Sequence, residues 1–82
     1  MVASFTVRIP RVSVAISEAT LRVFMVEDGA PVTEGQPLFV IETEKVETEI
    51  EAGASGLVRW TGTIDTVYEI GAEIGTISEA SP

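Results

Sequence analysis

Gly35-Gln36-Pro37-Leu38-Phe39-Val40-Ile41-Glu42-Thr43-Glu44-Lys45-Val46-Glu47-Thr48-Glu49-Ile50-Glu51-Ala52 is the stretch on which the fold turns. Leu38 to Ile41 is a continuous apolar run of strand length. From Val46 the pattern alternates: Val46, Thr48, Ile50 and Ala52 fall on one face, Glu47, Glu49 and Glu51 on the other. That is a half-buried strand with its glutamates in water. Taking Glu44 and Lys45 as the central pair of a two-residue turn sets Thr43 opposite Val46, Glu42 opposite Glu47 and Ile41 opposite Thr48. Phe39 and Ile41 then share the core face with Thr48 and Ile50, so the parity of both strands agrees.

Strand signals continue outward on both sides. Phe5 to Ile9 alternates and is stopped by Pro10. Residues 11–18 are mixed and read as a loop. Thr20 to Val26 reads as a strand closed by the turn Glu27-Asp28-Gly29. Pro31 to Thr33 is a short extended piece ended by Gly35, and Gly53 and Gly56 bracket a turn. Leu57 to Thr61 and Glu73 to Ile77 supply further strands. Trp60, alternating with Val58, is read as core or partner-facing packing. Frequent β-branched residues and recurring glycine and proline leave no room for a helix.

A repeat underlies these strands. Val32, Gly35, Leu38 and Ile41 recur at one constant offset as Tyr68, Gly71, Ile74 and Ile77. Both halves therefore use one unit: short strand, glycine turn, longer strand. Gly35, Gly56 and Gly71 are expected to serve turns. Neither unit can bury a face alone, so the two should pack about a pseudo-two-fold axis. The expected architecture is all-β, a flattened sandwich or barrel of short antiparallel strands.

With 82 residues, the chain has room for one domain. That domain is expected over residues 4–79, with 80–82 beginning an Ala/Pro/Ser linker. A formal net charge of −8 argues against nucleic acid and against anionic membrane surfaces, and suits partners with basic surfaces. No apolar run is long enough to span a membrane. The chain holds neither histidine nor cysteine. Ser13, Ser17 and Ser55 thus lack the usual activating base, and no thiolate zinc site can form. Glu47, Glu49 and Glu51 form a row along a strand, whereas a cation cage needs a loop that wraps the ion. No catalytic residue and no metal site is expected. Met1-Val2-Ala3-Ser4 carries no secretory pattern, which points to a cytoplasmic protein, or to the mitochondrial matrix in a eukaryote.

Lys45 is the single lysine, with Glu42, Glu44, Glu47 and Glu49 around it. On the residues alone it reads as part of a solvated, charge-bearing hairpin whose exposed pairs contribute little. A hairpin tip does project far from the core, where an enzyme can reach it. The stretch from Gly35 to Val46 resembles the lipoylation site of the biotinyl/lipoyl attachment family, above all the lipoyl domains of the acyltransferase components of 2-oxo acid dehydrogenase complexes. That family centres on Glu-Thr-Asp-Lys-Ala in a hairpin after a Gly-Gln-x-Leu strand; here Glu44 replaces the Asp and Val46 the Ala. Biotinyl relatives carry Met on both sides of the lysine. The similarity extends to Ile9-Pro10-Arg11-Val12-Ser13, to Ile16 through Leu21, to Val26 through Val32 and to Gly56. Phe24 stands where Trp is frequent.

The resemblance implies two four-stranded sheets with quasi-two-fold symmetry. It implies lipoic acid joined to Lys45 by an amide, attached by a lipoate–protein ligase or an octanoyl transferase. It also implies acyl shuttling between a thiamine-dependent decarboxylase, an acyltransferase core and dihydrolipoamide dehydrogenase. Recognition residues implied in this way are Glu42, Thr43, Glu44, Val46 and Glu47 of the hairpin and Val12, Ser13, Val14 and Ala15 of the loop. The loop departs from the family's Leu-Gly-Glu-Ser form, which bears on the identity of the partner complex. Two rival expectations stand beside the carrier: a biotin carrier, and an unmodified β-sandwich adaptor in which Lys45 is dispensable.

Overall fold

Eight short strands account for nearly all regular structure in the computed structural model, which describes residues 4–12, 14–44 and 46–79. They are β1 (Ser4–Arg8), β2 (Glu18–Phe24), β3 (Pro31–Val32), β4 (Pro37–Thr43), β5 (Val46–Glu51), β6 (Gly56–Trp60), β7 (Thr66–Glu69) and β8 (Glu73–Ser78). The expected linker residues 80–82, together with Ser13 and Lys45, lie outside the described residues. Among the described residues there is no helix.

The strands form two antiparallel sheets, ordered β1-β8-β6-β3 and β5-β4-β2-β7. The fold is the open form of the expected pair, a sandwich rather than a closed barrel. Exchanging β1 with β5, β2 with β6, β3 with β7 and β4 with β8 turns one order into the other, which is the two-fold relation anticipated from the repeat. Backbone hydrogen bonds obey it. Gly35 N–H donates to Ala52 O and Gly71 N–H to Ile9 O; Ala52 N–H donates to Gln36 O and Ile9 N–H to Ala72 O. Gly35 and Gly71 share a φ of 92°, in the left-handed region open to glycine. The axis passes between Phe24 and Trp60, equivalent residues whose rings stack with centroids 4.1 Å apart. The Trp60 indole N–H then donates to Val26 O at 3.1 Å, so its one polar atom is satisfied.

Two differences from the sequence reading have physical causes. β7 was marked by the repeat at Tyr68 but not by alternation, because its neighbours Thr66, Val67 and Glu69 carry no period-two apolar pattern. Its pairing with β2, through Glu18↔Glu69 and Ala19↔Tyr68, extends β2 toward the N-terminus to Glu18. The strand also ends at Phe24, before the expected Val26. Within β2 a bulge at Arg22 shifts the register against β4 between Leu21 and Val23.

Between the sheets lies one apolar core, including Leu21, Leu38, Phe39, Ile41, Val58, Ile74 and Ile77, and no polar or charged residue among those described is buried. Alternation supplies most of it, one face inward from each sheet; in β4 an irregularity between Pro37 and Phe39 leaves Leu38 without a partner on β5, and the consecutive Leu38 and Phe39 are both buried. Gly56 opens β6 rather than sitting within the preceding turn. Its φ is 153°, and a Cβ there would collide with the Ser78 carbonyl, so the glycine lets β6 approach the end of β8.

Candidate attachment site

The hairpin of β4 and β5 pairs Thr43 with Val46, Glu42 with Glu47, Ile41 with Thr48 and Phe39 with Ile50. This is the register read from the alternation. Glu44 opens the connection with a φ of 55°, the left-handed conformation that two-residue hairpin turns demand. Lys45, the candidate attachment residue, falls outside the described residues; its neighbours Glu44 and Val46 are both exposed, Val46 at 61%. Thr43 is half-buried and continues β4 to the turn.

Glu42 and Glu47 face each other across the hairpin on the outer side of the sheet. Arg22, placed by its bulge, lies 3.9 Å from Glu42 through Nε and donates to Asp65 at 2.8 Å through Nη1. Its closer contact is thus spent on the turn before β7, leaving the Glu42–Glu47 repulsion only partly offset. Glu47→Gln is expected to raise stability by about 0.2–0.5 kcal/mol, the effect shrinking as salt rises. Urea midpoints at low and high ionic strength measure it.

The loop between β1 and β2 comes to the same end of the molecule as the hairpin tip. Val12, Ala15 and Ile16 line a hollow of about 410 Å³ whose other wall is Thr43, Val46 and Thr48, with Glu44 at its side. Val14 projects from the loop and is 93% exposed. Among the recognition residues implied by the resemblance, the fold therefore groups Val12 and Ala15 with Thr43, Glu44 and Val46. Glu42 and Glu47 stand apart on the outer sheet face, and Ser13 lies outside the described residues. Arg11 was not singled out from the sequence. Its Nη1 donates to Ile16 O at 2.9 Å and to Val14 O at 3.4 Å, tying the loop into a turn. No local pattern announces such a contact, because both acceptors are backbone carbonyls. Among the described residues, no group of acidic side chains is arranged to hold a metal ion.

Two four-stranded sheets related by a quasi-two-fold axis, with a tight hairpin whose sequence carries the single lysine, define a small β-sandwich attachment module. Known proteins make this more specific. The biotin/lipoyl model, described as "Biotin-requiring enzyme", matches residues 5–77. A succinyltransferase component of 2-oxoglutarate dehydrogenase complex from Bacillus subtilis, named for its dihydrolipoyllysine residue, is 35% identical over 77 residues, covering 92% of this chain and 18% of that protein. Its namesake in Rickettsia felis is 32% identical over 79 residues, covering 95% of this chain and 20% of that protein. The chain belongs to the biotin/lipoyl attachment family. It spans about a fifth of the length of these relatives.

Proposed function

We propose that this chain is a lipoyl carrier domain, with lipoate joined through an amide to Lys45, serving the acyltransferase component of a 2-oxo acid dehydrogenase complex. The observation that carries the reading is the sequence Glu42-Thr43-Glu44-Lys45-Val46 on a two-residue hairpin in a chain of this family. Lipoate is favoured over biotin by Glu44 and Val46, where biotinyl relatives have methionine, and by the dihydrolipoyllysine named in both relatives. Those names also point to a succinyl group and to 2-oxoglutarate as its source.

The residues fit such a group. Forming the amide requires a nucleophilic amine, and Lys45 supplies the only one on a side chain in this sequence. Exposed Glu44 and Val46 leave both flanks of the tip open to a modifying enzyme. Lipoate, once attached, would supply a dithiolane that accepts an acyl group at the decarboxylase and delivers it to the acyltransferase before reoxidation by the dehydrogenase. The domain's own residues hold the anchor on a rigid two-strand base. Ile41 and Phe39 fix β4 in the core, and the ladder to Thr48 and Ile50 fixes β5 to it. Tethering to that base replaces bulk diffusion by a high effective concentration of the arm at each active site.

Incubation with lipoate, ATP and a lipoate–protein ligase, with a biotin ligase in parallel, tests the reading by intact mass and peptide mapping. The expected result is a lipoyl increment on Lys45 and none from biotin. A biotinyl increment would move the chain to the carboxylase carriers, and modification by neither enzyme would favour the adaptor.

A further inference from the structure

The hollow beside the hairpin tip is more apolar than a tight, charge-rich turn requires. Val12 and Val46 on its walls are large apolar side chains left exposed, at 40% and 61%, and Val14 in the same loop is another. Open apolar walls of this kind gain from being covered by an apolar chain. A second hollow of about 250 Å³ shares Ala15, Ile16, Thr43 and Glu44 with the first and runs on to Ser17 and Glu18. The two adjoin along the loop as one groove, apolar beside Val12 and Val46 and more polar toward Ser17 and Glu18. Arg11, by holding the Val14 and Ile16 carbonyls, shapes its loop wall in advance of any ligand.

We infer that this groove is a resting seat for the acyl arm of Lys45, taking its methylenes and dithiolane ring against Val12, Ala15, Ile16 and Val46. The inference rests on the carrier reading above. The occupant follows from where the groove opens: Glu44 and Val46, the two residues bonded to Lys45, both line it. A chain anchored between them reaches the groove at a local concentration no free ligand matches. Chemistry selects the modified arm over the bare lysine. An ammonium keeps its hydration and the company of the surrounding glutamates, whereas the amide is neutral and its chain apolar. The seat therefore forms on modification. Because the groove is open along its length, the arm exchanges between it and solvent, and a partner's active site competes with the seat for the ring.

Methyl NMR of the lipoylated protein tests this, with the lipoyl increment first verified by intact mass. The control is protein carrying acetyl-lysine at position 45, which has lost the same charge but has no arm. Expected are shifts of the Val12, Ala15 and Ile16 methyls that are absent from the acetylated control, and nuclear Overhauser contacts from these methyls to the ring methylenes. Val12→Asp, at an exposed position, is expected to lower the seated fraction about ten-fold by forcing a carboxylate against the arm. Shifts identical in the lipoylated and acetylated proteins would overturn the seat while leaving the carrier reading standing. Contacts undiminished in Val12→Asp would overturn it as well. Failure to add lipoate at all would sink the carrier reading and the seat together.

Discussion

Lys45→Arg is expected to abolish modification by lipoate–protein ligase completely while leaving unfolding free energy within about 0.5 kcal/mol of the original. The reason is nucleophilicity, not shape. Amide formation needs an uncharged nitrogen with a free lone pair. A lysine amine reaches that state readily, whereas a guanidinium stays protonated and delocalised at any pH the ligase tolerates. Charge and length are conserved, and the flanking Glu44 and Val46 are exposed, so the hairpin loses nothing it depends on. The α-amino group is the only other primary amine in the chain. Peptide mapping therefore separates a true site from adventitious acylation. On the proposed carrier function, Lys45→Arg is expected to eliminate acyl transfer through this domain while leaving the activity of a separately supplied acyltransferase toward free dihydrolipoamide unchanged. Residual lipoyl increment in Lys45→Arg would refute attachment at this residue. Intact complex turnover with an unmodified domain would favour the adaptor.

The hairpin that carries this site was legible because its constraints are local. Period-two alternation and a core on one face leave a single register for β4 on β5, and a slip by one residue would turn Ile41 and Phe39 outward. The repeat supplied what alternation missed: Tyr68 marks β7 only as the counterpart of Val32. Long-range contacts were not legible. Nothing near Phe24 or Trp60 in sequence says that they stack on the symmetry axis, and Arg22 reads as an ordinary strand residue until the bulge against β4 is seen. The resemblance named residues of both the loop and the hairpin, but their meeting at one end of the molecule is seen only in the fold. Residues 11–18 have no periodicity, and the bonds from Arg11 that shape them depend on backbone carbonyls any sequence could offer.

Phe39→Ala is expected to cost about 3–5 kcal/mol, the range for a fully buried aromatic truncated in place. Phe39 is 1% exposed, pairs with Phe24 and Ile50 in neighbouring strands, and meets the Trp60 ring edge-on with centroids 6.1 Å apart. It thus ties the hairpin to the aromatic stack on the axis. At about 0.05–0.15 kcal/mol per residue, a domain of 82 residues has roughly 4–12 kcal/mol in total, so this one change removes about a quarter of it or more. The melting temperature should fall by more than about 10 °C. The near-ultraviolet circular dichroism of Trp60 should weaken even where the variant stays folded, because the ring loses its edge partner. Phe5→Ala provides the contrast: that ring stands 43% exposed at the free edge of β1, and its loss should cost far less. A penalty below about 1 kcal/mol at Phe39, or one equal to that at Phe5, would mean that the two sheets are not held together through the axis stack. Loss of ligase modification in Phe39→Ala, tracking its unfolded fraction across temperature, would show that the enzyme reads the folded hairpin rather than the local sequence around Lys45.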